Sequence, residues 1–125
     1  MINHTATVHT QVDQTNTALA VGSGSLEVFA TPMMIALMER AACEAIAGSL
    51  APGQSSVGTQ VNVSHTAASP VGAQVSATAT VTQVAGRQVE FELTAHCGGQ
   101  EIGRGTHTRF VIDAERFMAK VSGAA

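Results

Sequence analysis

Two hydrophobic periods divide this chain. Between residues 31 and 46, in TPMMIALMERAACEAI, apolar positions recur on a helical period, whereas from about residue 57 onward they alternate with polar ones. Thr31 followed by Pro32 is a start signal. A threonine hydroxyl accepts from an early backbone N–H, and proline in the first turn lacks a donor that would go unused. At about 100° per residue, Glu39 shares its face with Pro32, Ile35, Ala36, Ala42, Cys43 and Ile46. Met33, Met34, Leu37, Met38 and Ala41 cover most of the rest. Arg40 and Glu44 form a separate i,i+4 stripe, where they read as a solvated pair. A helix this apolar all round is expected to be buried, with Glu39 desolvated.

The alternating segments predict strands. Residues 4–12 form a first strand, and residues 13–26, with GSGS at 22–25, lose periodicity and read as a loop or lid. Beyond the helix stop at Gly48, the residues Val57, Thr59, Val61, Val63 and His65 fall on one strand face, and Gly58, Gln60, Asn62 and Ser64 on the other. Val75, Ala77, Ala79 and Val81 line the next strand. Val89, Phe91, Leu93, Ala95 and Cys97 line another, which ends at the hairpin signal Gly98–Gly99. A last strand runs from about Gln100 to Ile112, and residues 113–121 form a short helix that Asp113 caps. One strand, one buried helix, four strands and a terminal helix predict an α+β domain in which an antiparallel sheet wraps a single long helix. This is the hotdog architecture, and its exposed strand edges and apolar seam predict a homodimer.

Composition narrows the class. With 125 residues, 45% of them apolar and 12% charged, the expectation is one domain spanning residues 1–125. Six basic residues stand against nine acidic ones with no basic cluster along the chain, so nucleic acid is not an expected partner. No apolar run reaches a membrane-spanning length, and the first twenty residues lack a basic start and apolar core. A soluble cytoplasmic protein without membrane contact is expected. Cys43 and Cys97 have no metal or redox spacing and read as reduced core or near-core thiols.

The chain carries no HxxxH or CxxC, no phosphate-cradling glycine loop and no nucleophile elbow. Its candidate chemistry is Glu39, since a desolvated carboxylate shifts its pKa, finds a partner or coordinates something. A structural glutamate at a subunit seam is the alternative. His65 closes an apolar strand face. His107 shares a face with Gly103, Gly105 and Arg109 and reads as an ordinary strand histidine. A helix-borne carboxylate, a histidine and a hydroxyl at a helix N-terminus suit acyl transfer or hydrolysis.

Three segments, EVFATPMMIALMERAA, VGTQVNVSHTAASPVG and EIGRGTHTRFVIDAERFMAKV, together resemble the fluoroacetyl-CoA thioesterase-like family of hotdog-fold acyl-CoA thioesterases, from about Glu27 to Val121. The resemblance implies hydrolysis of an acyl-CoA or related small thioester at a dimer-interface pocket. It implies Thr31, Glu39 and His65 as the catalytic set, Gly58 and Arg109 as substrate-binding neighbours, and no metal or redox cofactor. Glu39 is then a nucleophile or a base for water. Fluoroacetyl-specific members carry bulky aromatics in the lid, where this chain has GSGSLE at 22–27, so selectivity for fluoroacetyl is not implied. The alternatives are a hotdog hydratase or dehydratase, and a non-catalytic module that binds acyl-CoA or another small ligand.

Overall fold

The computed structural model describes residues 1–123. Its elements in order are β1 (Thr5–Gln11), α1 (Ala18–Val21), α2 (Thr31–Ala47), β2 (Gln54–His65), β3 (Gln74–Ala85), β4 (Gln88–Cys97), β5 (Gln100–Asp113) and α3 (Ala114–Val121). The five strands form one antiparallel sheet in the order β1-β3-β4-β5-β2, which leaves β1 and β2 as edges. The sheet curves around α2, the expected hotdog arrangement. No described helix is long and apolar enough to cross a membrane.

The alternation read from β3 and β4 places their inner faces correctly. Val75, Ala77, Ala79 and Val81 are buried on β3, and Val89, Phe91, Leu93 and Ala95 on β4. Against them α2 buries Met34, Leu37, Met38, Ala41, Ala42, Ala45 and Ile46. Each of the larger side chains contributes about 1.5–3 kcal/mol by leaving water. Asp113 caps α3 as expected, its Oδ1 accepting from the Arg116 N–H at 3.0 Å.

Five expectations change. The helix is not covered all round: Pro32, Ala36 and Cys43 are exposed, and Glu39 keeps 38% of its side chain in solvent. The sheet covers one side of α2, and the Glu39 face is split, with Ala42 and Ile46 buried and Pro32, Ala36 and Cys43 bare, so Cys43 is a surface thiol rather than a core one. Arg40 and Glu44 are both exposed, but they form no ion pair among the described residues. Ala30, not Thr31, is the residue preceding the first turn, and no side chain caps α2. The supposed loop at 13–26 contains the one-turn helix α1, capped by the Thr17 hydroxyl accepting from the Ala20 N–H at 3.1 Å.

The fifth change moves side chains across the sheet. The pairing of β2 with β5 slips between Gly58 and Gln60, so Thr59 is an extra, bulged residue. Past a bulge the inward and outward positions exchange. Gly58 and Ser56 therefore join Val61, Val63 and His65 on the helix side, and Val57 leaves it.

Candidate functional site

Two polar clusters lie on the flank of α2 that the sheet leaves open. The first sits at the N-terminal end of the helix. The Thr31 hydroxyl, released from capping, meets His65 Nδ1 at 2.8 Å. His65 closes β2, pairs with Gly103 and so faces the helix start. Its other ring nitrogen, Nε2, is buried with no hydrogen-bond partner. Burial pushes the His65 pKa below 6.5, against a smaller opposing pull from the Ala67 backbone. The ring is therefore neutral at pH 7, with one nitrogen to donate and one to accept. The pair stands in a cavity of about 250 Å³ shared with Phe29, Val28, Ala18 and Ser23. Ala18 N–H donates to the Val28 carbonyl and Leu19 N–H to the Leu26 carbonyl, so α1 and the turn after it form a flap tied across the cavity.

The second cluster surrounds Glu39. Arg109 on β5 is 6% exposed, and its Nη1 donates to Glu39 Oε2 at 3.0 Å. Its Nε donates to the Ser56 hydroxyl at 2.8 Å and its Nη2 to the Ser56 carbonyl at 3.0 Å. The guanidinium is thus clamped on three sides, in the fork geometry that suits arginine rather than lysine. Glu39 Oε1 has no donor among the described residues, and the side chain is partly open to solvent.

His107 supports the clamp. Its Nδ1 lies 2.8 Å from the Gln60 carbonyl, which can only accept, so Nδ1 carries the hydrogen. Its Nε2 then presents a lone pair to Arg109 Nη1 at 3.2 Å. The ring is neutral, and its 3.7 Å approach to Glu39 Oε2 is a packing contact, not an ion pair. Burial, foremost, and the Arg109 charge depress the His107 pKa, while Gln60 and Glu39 oppose them. Phe91 stacks on the ring with centroids 5.7 Å apart.

Gly58 makes room for all of this. A Cβ there would lie 2.5 Å from Glu39 Oε2, 3.2 Å from His107 Cε1 and 3.4 Å from Arg109 Nη1. Gly58, Glu39 and Arg109, singled out in the sequence, therefore come together, as do Thr31 and His65. The two groups do not meet within one chain, because eight residues of helix separate Thr31 from Glu39 by about 12 Å. Sequence reasoning passed over His107 and Ser56. The shared face of Gly103, Gly105, His107 and Arg109 was a usable signal for the first, whereas Ser56 reaches the site through the bulge.

Both histidines bear on stability. An unfolded histidine takes up its proton near 6.5, and these two resist it in the fold, so the unfolded state binds more protons as pH falls below 6.5. Their contribution is full above 6.5 and declines on acidification until the folded-state values are passed. Thermal melts at pH 7.5 and 5.0 should show a lower Tm in acid, and His107→Asn should narrow the difference.

Known proteins share this arrangement of elements. The family model described as fluoroacetyl-CoA-specific thioesterase matches residues 12–115. A fluoroacetyl-CoA thioesterase from Streptantibioticus cattleyicolor is 50% identical over 95 residues, which cover 76% of this chain and 68% of that protein. A phenylalanine-to-alanine variant of the fluoroacetyl-CoA-specific thioesterase FlK has a crystal structure similar at a TM-score of 0.92, with 39% identity, covering 100% of this chain and 97% of that one. The same variant in complex with fluoroacetate and CoA is similar at 0.88, with 39% identity over 94% and 98% of the two chains. A Thermus thermophilus thioesterase superfamily member, 24% identical, shares the fold at a TM-score of 0.90 over 99% and 92%.

Proposed function

Because this chain belongs to the fluoroacetyl-CoA-specific thioesterase family, a family of thioester hydrolases, we propose that it hydrolyses a small acyl-CoA at a pocket shared by two copies of the chain. Thr31, Glu39 and His65 are the proposed catalytic set. The observation that carries this reading is the Thr31–His65 pair in its cavity, with His65 Nε2 buried and unpartnered. An idle polar atom in that position is costly, and a reacting oxygen would satisfy it.

In this mechanism the thioester carbonyl lies against the start of α2, where the Met33 and Met34 N–H groups already donate to the Ala30 carbonyl and Pro32 has none, so the Thr31 N–H is the donor left to favour the developing oxyanion. Glu39 Oε1 either takes the proton of a water that attacks the carbonyl carbon as the C–S bond breaks, or attacks that carbon itself, expelling the thiolate and forming an acyl–Glu39 anhydride that water then hydrolyses. Arg109 holds Oε2 and keeps the carboxylate aimed. His65, neutral near pH 7, passes its Nδ1 proton through Thr31 to the departing thiolate while Nε2 takes up a proton from water, so the ring ends neutral. The products are the free acid and CoA. The small residues Ala18 and Ser23 in the cavity wall support an acyl pocket without selectivity for fluoroacetyl. Two free thiols, Cys43 and Cys97, suit a reducing cytoplasm.

The separation of Glu39 from Thr31 motivates the second copy. The β2 edge is unpaired, Val61 beside it is 36% exposed, and the Pro32, Ala36 and Cys43 face of α2 is bare. Antiparallel pairing of two β2 edges would continue the sheet and cover that face. It would also carry the partner's His65 end of β2 to the Gln54–Gly58 end here, beside Glu39.

Release of free thiol from a panel of short and medium acyl-CoAs tests the activity, and mixing of variants tests the shared pocket. Thr31→Ala and Glu39→Gln chains are each expected to be nearly inactive. Co-refolded, they should recover about a quarter of native activity, since random pairing makes half the dimers mixed and each mixed dimer keeps one intact site. No recovery would place the whole set within one chain. Binding of acyl-CoA without thiol release from any member of the panel would leave a binding module.

A further inference from the structure

We propose that the cleft between α3 and the outer face of β5 holds the phosphates of the CoA nucleotide, an inference that rests on the acyl-CoA reading above. Arg87, from the turn between β3 and β4, converges there with Arg116 and Lys120 of α3 around a cavity of about 210 Å³, whose apolar wall is Ile112 and Phe117. Half of the six basic residues of a chain with net charge −3 thus line one cleft. No cluster is visible along the sequence, because the turn and the helix that supply them lie some thirty residues apart.

The other basic residues are placed differently. Arg109 is buried on Glu39, Arg104 is paired with Glu101 at 3.0 Å, and Arg40 stands exposed on α2. In the cleft, no carboxylate forms an ion pair with Arg87, Arg116 or Lys120 among the described residues. Asp113 is the acidic residue of its lining, and Asp113 Oδ1 is engaged as the cap of α3. Arg87 is anchored: its carbonyl accepts from the Val111 N–H at 2.8 Å, and its Nη1 leans on the Val111 carbonyl at 3.4 Å. Three like charges held together repel one another unless an anion joins them, and two guanidinium forks with an ammonium match phosphate oxygens. The Ile112 and Phe117 wall suits the flat face of a purine. The ligand class is therefore a nucleotide carrying more than one phosphate, and a concave cleft of this size fits it better than the convex surface of a carrier protein.

Position ties the cleft to the proposed pocket. Ile112 and Asp113 pair with Ser55 and Gln54, the end of β2 that dimer pairing would bring beside the partner chain's Thr31–His65 pair. Asp113 lies four residues beyond Arg109, about 13 Å along the strand. A pantetheine arm leaving the pocket around this end of the sheet would deliver its nucleotide to the cleft.

The test compares an acyl-CoA with the matching acyl-pantetheine, which lacks the nucleotide, on the native protein and on the Arg116→Glu, Lys120→Glu double variant. The expected result is a KM for acyl-CoA raised roughly tenfold or more with kcat little changed, and an acyl-pantetheine KM that does not move. Calorimetry with free adenosine 3′,5′-bisphosphate adds a readout independent of turnover: the native protein should bind it and the variant should not. Bisphosphate binding lost in the variant, together with no thiol release by the native protein, would defeat the hydrolase reading while keeping the nucleotide cleft. Equal KM changes for both substrates, or none, would overturn the proposal. So would tighter binding of ATP than of the bisphosphate with no KM effect, which would mark a site for free nucleotides.

Discussion

Replacing Glu39 with glutamine is expected to lower acyl-CoA turnover by about a hundredfold or more, equivalent to about 2.7 kcal/mol of barrier, while Tm stays close to native. The argument rests on shape. A glutamine amide fills the same space, and its oxygen can still accept from Arg109 Nη1 where Oε2 does now at 3.0 Å. Arg109 keeps both bonds to Ser56 and the His107 lone pair, so the buried cation is not orphaned. The amide has lost the ability to attack a carbonyl carbon or to take a proton from water, whichever role the carboxylate has. Thiol release and a thermal melt on the same preparation are the measurements. Turnover within tenfold of native in a folded variant would remove Glu39 from the reaction and leave it as a seam residue held by Arg109.

Gly58→Ala is expected to cost nearly as much activity, by steric means. The added methyl would stand 2.5 Å from Glu39 Oε2, where ordinary contact begins at 3.4 Å. The carboxylate must retreat by about 0.9 Å or the β2 bulge must open, and a displacement of that size in a reacting group is worth about a hundredfold in rate. His107 Cε1 at 3.2 Å and Arg109 Nη1 at 3.4 Å close the sideways escape. Overpacking of this kind destabilises by about 1–3 kcal/mol, so Tm should fall by several degrees with the fold retained. A crystal structure of the variant would show the carboxylate moved off Arg109. Native turnover in Gly58→Ala would mean that the geometry of Glu39 does not limit the reaction.

The sequence by itself determined the elements and the inner faces of β3 and β4, because a period of two or of 3.6 is local information and each strand or helix reports its own. It also determined the cap of α3, a contact between Asp113 and a residue three positions away. The resemblance carried by three segments nominated Thr31, Glu39, His65, Gly58 and Arg109. What only the tertiary structure decided is which of these touch. Thr31 and His65 are 34 positions apart, and Glu39 and Arg109 are 70 apart, so their meeting depends on strand register. One bulged residue, Thr59, changes that register and turns Gly58 and Ser56 towards the helix. Nothing in a period-two pattern announces such a residue. The exposure of the Glu39 face had the same origin. An all-apolar helix does not say which side its sheet will cover, and here the side left bare carries both halves of the proposed site.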